Sequence, residues 1–99
     1  MRRVEALSRL KAAEPDMRAF GVASLYLFGS VARDEAGEAS DLDVFVEPGC
    51  ATFYGLKNYM GAYGRLVAAF PGIGIGYSTR EGLSKYVRPA AEREAIRVF

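Results

Sequence analysis

The chain has 99 residues, 51% of them apolar, and a formal net charge of +1 from 13 basic and 12 acidic side chains. This length and composition predict one globular domain, residues 1–99, and exclude a disordered chain. The balanced charge lacks the basic excess that is typical of nucleic-acid-binding proteins, so we do not expect a nucleic-acid partner.

The first half of the chain predicts helical pieces alternating with strands. Apolar residues at helical spacing indicate an amphipathic helix, Pro15 starts a further helical piece, and Gly21 ends it. The next segment is almost wholly apolar, which indicates a strand buried on both faces. Gly29 then makes a turn. The predicted bounds are 3–14 and 16–20 for the helical pieces, 23–28 for the first strand, 30–34 for a short helix, and 42–46 for the second strand.

The second half predicts a helix, a third strand and a last helical region. The helix carries an apolar stripe at spacings of three and four residues, which indicates a face packed on the core; a base-stacking surface is the alternative. The stripe consists of Phe53, Leu56, Met60, Tyr63, Val67 and Phe70. Residues 73–78 indicate the third strand, weakened by glycines. Thr79 is a plausible N-cap for the last helical region, and Pro89 marks a new helix start within it.

The second predicted strand carries two carboxylates, Asp41 and Asp43. Because side chains alternate along a strand, both should leave the same face. The strand-to-helix turn Gly29-Ser30 precedes them by ten residues. Two acids beside a helix N-terminus suit a divalent cation together with a phosphate, since Mg²⁺ takes carboxylate and phosphate oxygens and helix N-termini attract anions. The alternative is a pair of surface acids at a sheet edge.

The pattern Gly29-Ser30, ten residues, then Asp41-Leu-Asp43 resembles the signature of the nucleotidyltransferase superfamily that includes DNA polymerase beta. Arg33 and Ser40 stand where its smallest members, the minimal nucleotidyltransferases, tend to have Arg and Ser. The resemblance implies the nucleotidyltransferase fold, an α/β (α+β) domain with a small three-stranded mixed sheet flanked by helices. The order of predicted elements agrees with that fold.

The resemblance also implies a set of site residues and ligands. Asp41 and Asp43 are the candidate catalytic and metal-binding carboxylates, and Mg²⁺ is the expected metal, with ATP or another nucleoside triphosphate as substrate. The candidate nucleotide-binding residues are Gly29, Ser30, Arg33 and Ser40. Gly29 has no side chain, so a phosphate can approach the main chain there.

Two of these residues have more than one interpretation, and a third is expected to act indirectly. Ser30 donates to a phosphate oxygen or acts only as a helix N-cap. Arg33 lies one helical turn after Ser30, where it contacts phosphate or ties the short helix to an acid such as Asp34 or Glu38. Ser40 is expected to bond to nearby main chain and so to position the first carboxylate.

A departure from the family pattern lies on the third strand, where active relatives usually carry a third carboxylate. Counting back from residues 79–83, which together with 88–99 resemble the family's C-terminal helices, that position falls on Gly76, or on Gly74 if the register shifts by two. Neither residue has a side chain. Glu47 lies on the same nominal face as the carboxylate pair, but at roughly 13 Å along the strand it is too distant to substitute.

Two functions remain open. The first is an enzyme that transfers a nucleoside monophosphate from a nucleoside triphosphate to an acceptor hydroxyl and releases pyrophosphate. For minimal nucleotidyltransferases, the resemblance implies a protein acceptor, with a small helical HEPN protein as partner in a toxin–antitoxin pair. The second is a catalytically impaired module that keeps the fold and the partner surface but lacks the third carboxylate. Homo-oligomer formation is compatible with either function.

The scarcity of cysteine and histidine excludes several other chemistries. The chain has no histidine and one cysteine, so it has no internal disulfide, no usual zinc ligand set and no histidine acid–base catalyst. Cys50 follows Pro48-Gly49 and is predicted to be a loop residue rather than a nucleophile. A reducing cytoplasm is the expected location. No apolar run reaches the ~18 residues of a membrane span, and the first residues lack the apolar region of a signal peptide.

Overall fold

A four-stranded mixed sheet organises the chain in the computed structural model, which describes all residues from Met1 to Phe99. The helices are α1 (Arg3–Ala12), α2 (Glu14–Ala19), α3 (Gly29–Ala32), α4 (Leu56–Ala69) and α5 (Arg88–Glu94). The strands are β1 (Val22–Phe28), β2 (Leu42–Pro48), β3 (Ile75–Thr79) and β4 (Ile96–Arg97), and a 3₁₀-helix spans Ala51–Tyr54. The α+β class and the mixed sheet agree with the prediction, whereas the sheet has one strand more than expected.

The strand order β3-β2-β1-β4 makes β2 a central strand. It runs antiparallel to β1 and parallel to β3. In this register Phe28, the last residue of β1, and Gly76 of β3 flank Asp43 on its two sides. The first residues of β2 therefore lie beside the turn that leaves β1.

Local sequence signals account for the boundaries between α1, α2 and β1. Ala13 separates the two helices, and Pro15 occupies the first turn of α2, where its missing N–H costs no helical hydrogen bond. Gly21 has φ +94°, a left-handed conformation that suits glycine, and β1 begins at the next residue. The predicted helix break and the predicted stop at Gly21 are confirmed.

The two faces of the sheet are covered differently. One face carries fully buried side chains such as Leu25, Leu27 and Val44, which pack in the main core with α1, α2 and α4. On the opposite face Tyr26 stacks on Phe45, with ring centroids 4.9 Å apart. Tyr26 is only half-buried, because this face is covered by the short α5 and the Arg80 side chain rather than by long helices. The prediction that the first strand is buried on both faces is therefore wrong for this second face.

The apolar stripe of α4 was predicted to face the core, but only part of it does. Its two ends, Phe53 and Phe70, are fully buried. Between them, however, Leu56 is 79% exposed, Met60 46% and Val67 42%. The core-facing interpretation is therefore wrong for these three residues.

Small residues explain which face of α4 turns inward. The ring of Phe20 packs so closely on Gly61 that a Cβ there would overlap it. The fully buried residues of α4 are its neighbour Ala62 and, one turn on, Leu66. Close approach of the helix to α2 thus selects the glycine–alanine face, and Leu56, Met60 and Val67 are turned outward.

The C-terminal segment differs from the predicted helical region. Residues 80–87 form turns, and Thr79 ends β3, where its Oγ1 accepts a hydrogen bond from the Gly82 N–H at 3.0 Å. Pro89 does start a helix, α5, as predicted. After it, Ile96 and Arg97 pair with β1 as the fourth strand. A strand this short has no detectable sequence periodicity and forms because the β1 edge is free to pair with it.

None of the helices combines the length and the apolar character that crossing a membrane requires.

Candidate functional site

The carboxylates of Asp41 and Asp43 lie on the same face of β2, at its N-terminal end. Asp43 is the second residue of the strand, and Asp41 is the residue just before the strand begins. Each carboxylate leans over a glycine of the neighbouring chain segment: Asp41 lies against Gly74 and Asp43 against Gly76. Asp41 is exposed and Asp43 is half-buried, so one side of the pair is open to solvent.

Two glycines make room for the Asp43 carboxylate. Gly29 adopts φ +79°, and the Oδ2 atom of Asp43 occupies the space that a side chain at Gly29 would need. On the other side, Oδ1 lies where a side chain at Gly76 would begin. The turn after β1 is therefore built around this carboxylate, and any larger residue at Gly29 would both strain the backbone and displace Asp43.

The electrostatic environment of Asp43 disfavours its ionised form. Burial raises the pKa of its carboxyl above the ordinary value of 3.8, and the negative charge of Asp41 raises that pKa further. The Arg33 guanidinium lowers the same pKa, and the Glu94 carboxylate raises it. A partly buried carboxylate beside a second one gains from a positive partner, and a divalent cation is a partner of that kind.

Glu94 is a member of this site that sequence reasoning missed. Its Oε2 accepts a hydrogen bond from the Gly29 N–H at 3.0 Å, and the Arg33 Nη1 donates to Oε1 at 2.9 Å and to Oε2 at 3.0 Å. Glu94 is the last residue of α5 and follows Gly29 by 65 positions. No local spacing connects residues so far apart, so only the packing of α5 beside α3 could reveal the contact.

Arg33 has different partners from those expected. Besides Glu94, its Nε lies 3.7 Å from a carboxylate oxygen of Glu35. The predicted ties to Asp34 or Glu38 are wrong. Asp34 adopts φ +59° and its carboxylate accepts a hydrogen bond from the first main-chain N–H of α1, while Glu38 is exposed. The short α3 is thus anchored to α5 through Arg33 and to α1 through Asp34.

The two serines lie on either side of the polar loop that joins α3 to β2. Ser30 is inside α3, whose N-cap position is Phe28, so the interpretation of Ser30 as the N-cap residue is wrong. The Oγ of Ser40 accepts a hydrogen bond from the Gly37 N–H at 3.0 Å, and the Ser40 N–H donates to the Gly37 carbonyl oxygen at 3.2 Å. This reciprocal pair closes the loop just ahead of Asp41.

No third carboxylate stands beside the pair on β3. Gly76 is the direct neighbour of Asp43, in the register that the sequence favoured. Glu47, at the other end of β2, is bonded to Arg80 at 3.3 Å. No group of three or more acidic or cysteine side chains is arranged to hold a metal ion. A cavity of about 260 Å³ also lies at that other end of β2, beside Glu47 and Arg80, and the carboxylate pair does not line it.

Cys50 is exposed in the segment after β2, where its Sγ lies 3.2 Å from the Thr52 hydroxyl. It follows the C-terminal end of β2, whereas Asp41 and Asp43 lie at the N-terminal end. The prediction of a loop residue is confirmed.

Comparisons with known proteins agree with the arrangement of these elements. A model of the family described as "Nucleotidyltransferase domain" matches residues 7–95. A solved structure of a protein assigned as a minimal nucleotidyltransferase superposes with a TM-score of 0.65 at 31% sequence identity, covering 97% of this chain and 95% of the other. Comparison with curated proteins gives no match.

Proposed function

Because the chain belongs to the nucleotidyltransferase domain family, we propose that it binds the Mg²⁺ complex of a nucleoside triphosphate and transfers the nucleoside monophosphate to an acceptor hydroxyl. In this reaction the acceptor oxygen forms a bond to the α-phosphorus. The bond from that phosphorus to the bridging oxygen breaks, and pyrophosphate leaves. Family membership supports transferase activity in general. ATP is the nucleotide that we would test first.

The observation that carries the proposal is the pair Asp41 and Asp43 on one face, next to the turn at Gly29. Two carboxylates that are open to solvent on one side fit a hard divalent cation, because such a cation takes its remaining ligands from phosphates and water. Bound there, Mg²⁺ would neutralise negative charge on the triphosphate. The raised pKa of Asp43 fits this assignment, because burial and the charge of Asp41 disfavour its ionised form despite the nearby Arg33, and a bound cation would favour that form.

The nucleotide's phosphates are assigned to the turn residues. The main-chain N–H groups at the start of α3, the Ser30 hydroxyl and the Arg33 guanidinium are all donors suited to phosphate oxygens. Ser40 is assigned an indirect role, because its bonds to Gly37 shape the loop before Asp41. In this proposal these residues orient the triphosphate beside the two carboxylates.

A second candidate function is a catalytically impaired binding module, favoured by one observation: the residue beside Asp43 on β3 is Gly76. In the reaction above, the proton of the acceptor hydroxyl must pass to a base, and no acid on β3 is placed to receive it. Loss of a general base typically lowers a rate about 10²–10⁴-fold. A chain with this site could therefore bind nucleotide and a partner with little transfer.

For the acceptor we propose a hydroxyl of a protein, with a small helical HEPN protein as the candidate partner and an antitoxin-like role for the pair. The support is the resemblance of the Gly29-Ser30 and Asp41-Leu-Asp43 pattern to minimal nucleotidyltransferases, together with the absence of a basic excess that would suit a nucleic-acid acceptor.

Calorimetric titration of Mg²⁺–ATP tests the metal and nucleotide site. We expect weak binding by the wild-type protein and loss of its Mg²⁺-dependent part in Asp41→Asn, because the amide keeps the shape but loses the charge of a hard oxygen ligand. Asp16→Asn is the matched control, since Asp16 is an exposed acid on α2. Equal Mg²⁺-dependent affinity in wild-type and Asp41→Asn proteins would show that this pair does not hold the metal.

The same proteins distinguish the two candidate functions. Labelled ATP and the partner are incubated with wild-type protein, and transfer of label to the partner is measured. Transfer that disappears in Asp41→Asn supports the enzyme. Mg²⁺-dependent binding without transfer supports the impaired module.

A further inference from the structure

We propose that the Glu94 carboxylate occupies the polyphosphate position of the site, so that a nucleotide must displace Glu94 from Gly29 and Arg33 in order to bind. This inference rests on the proposed function, because it takes Gly29 and Arg33 as contacts of the triphosphate. It adds a regulatory contact: the C-terminal helix α5 holds the site in a closed state until a polyphosphate replaces its last side chain.

The contacts of Glu94 are those that a phosphate would make. One carboxylate oxygen receives the Gly29 N–H, and Arg33 reaches both oxygens within 3.0 Å. A guanidinium and a main-chain N–H bind carboxylate and phosphate oxygens alike, and each such bond carries a full negative charge on the acceptor. While Glu94 is in place, the Gly29 N–H and the Arg33 Nη1 are both engaged, and the Glu94 carboxylate lies where an anion would meet them.

The position of Glu94 permits the exchange. The side chain is 26% exposed and Arg33 is 44% exposed, so the contact lies at the surface rather than in the core. Ion pairs at such exposure contribute little to stability, and a change of side-chain rotamer can break them without unfolding α5. A triphosphate, with more charge and more oxygens than one carboxylate, is the stronger ligand for the same donors.

Charge adds a second reason for displacement. With Glu94 in place, three carboxylates surround the site: Asp41, Asp43 and Glu94. Withdrawal of Glu94 removes one negative charge from the path of the triphosphate and leaves Arg33 with only the more distant Glu35, 3.7 Å from its Nε, as an acidic partner. Glu94 is not a substitute for the missing third metal ligand in this arrangement, because both its oxygens are engaged by donors and no three-acid metal cluster forms.

Titration with inorganic tripolyphosphate, followed by Mg²⁺–ATP, tests the exchange in Glu94→Gln. The amide oxygen can still accept the Gly29 N–H, but the neutral side chain releases Arg33. We expect both ligands to bind about threefold to fivefold more tightly than to the wild-type protein, because an ion pair at this exposure, which they no longer have to break, is worth no more than about that factor. Glu92→Gln is the control, because Glu92 lies on the same helix and pairs with Arg80 instead; its affinities should equal those of the wild type.

A gain in affinity distinguishes occlusion from a structural role, because loosening the turn would only weaken binding. If the wild-type protein binds Mg²⁺–ATP and Glu94→Gln binds no more tightly, this inference is wrong and the proposed function stands. If neither protein binds Mg²⁺–ATP, both are wrong.

A measurement on the wild-type protein covers the case in which the variant does not fold. In an NMR titration with tripolyphosphate, the signals of the Gly29 amide, the Arg33 guanidinium and the Glu94 side-chain carboxyl carbon should shift together. A shift of the first two without the third would also overturn the exchange.

Discussion

At Asp43, folding and the proposed chemistry favour different protonation states. Folding favours the protonated carboxyl, whereas a metal ligand must be ionised. Its carboxylate lies between Gly29 and Gly76, partly withdrawn from water and close to Asp41. Burial, reinforced by Asp41, makes its pKa higher in the folded protein than the ordinary value of 3.8. The native state therefore holds the Asp43 proton more tightly than the unfolded chain does, and ionisation of this group disfavours the native state.

Replacement Asp43→Asn should stabilise the metal-free protein at pH 7. The stability that protonated Asp43 contributes is present below the ordinary pKa and is lost as the pH rises through the higher pKa of the folded state. The neutral amide avoids this loss. The variant should thus have the larger free energy of unfolding at pH 7, and the difference should shrink as the pH falls toward 3.8 and below. Urea unfolding at a series of pH values measures it.

Asp16→Asn, at an exposed acid outside the site, provides the comparison and should show no such pH-dependent gain. Lower stability of Asp43→Asn at pH 7 would contradict the account of Asp43, since it would mean that the ionised carboxylate has stabilising partners in the metal-free protein.

At the scale of elements, α4 illustrates how close packing overrides an apolar pattern. The stripe that includes Leu56, Met60 and Val67 has helical spacing, but the helix turns its Gly61 and Ala62 side toward the protein. A glycine in a helix interior costs roughly 1 kcal/mol relative to alanine. At Gly61 the lack of a side chain has a structural reason, because the ring of Phe20 fills the space where a Cβ would stand.

Two glycine-to-alanine replacements in α4 should therefore have opposite effects. Gly64→Ala places its methyl group in open space and should raise the free energy of unfolding by about 1 kcal/mol. Gly61→Ala gains the same helix propensity but forces the Phe20 ring to move, and should lower the free energy of unfolding by about 1–3 kcal/mol. Chemical denaturation of the two variants tests the pair. Equal stabilisation by both would show that Phe20 does not restrict the approach of α4.

On the scale of the whole molecule, the last five residues, 95–99, connect three parts of the protein. They contact the core and the edge of the sheet, and they directly follow Glu94, which lies in the site. Phe99 is 6% exposed and belongs to the main core, and Arg18 of α2 lies over its ring at 4.9 Å. Main-chain hydrogen bonds join Leu25 to Val98 and Phe99. Because Glu94 precedes this segment directly, the same packing that completes the sheet holds its carboxylate beside Gly29.

Loss of the Phe99 ring should thus be among the costlier changes to this small domain. We expect Phe99→Ala to lower the free energy of unfolding by about 3 kcal/mol, the cost typical of emptying a buried aromatic position. Tyr86→Ala, at a side chain that is 82% exposed, should change it by no more than about 0.5 kcal/mol. Thermal and urea unfolding compare the two, and similar small effects would mean that the C-terminal residues contribute little to the core.

Short-range signals were sufficient for much of the fold and for the spacing of the candidate site. The helix break at Pro15, the stop at Gly21, the turn at Gly29 and the shared face of Asp41 and Asp43 depend only on the conformations that each residue permits and on the two-residue period of a strand. The position of Gly76 beside Asp43 was implied by the resemblance of residues 79–83 to the family pattern, with Gly74 as the alternative, and the strand register selects Gly76.

The main features that the sequence left open, or indicated wrongly, depend on residues far apart in the chain. The partner of Arg33 is Glu94, the fourth strand exists because β1 has a free edge, and the inward face of α4 is selected by Phe20. An amino-acid pattern reports what each segment can form, because backbone preferences and side-chain period are local. Which segments meet is decided by the packing of the whole chain, and that packing brings the carboxylate of α5 into the site.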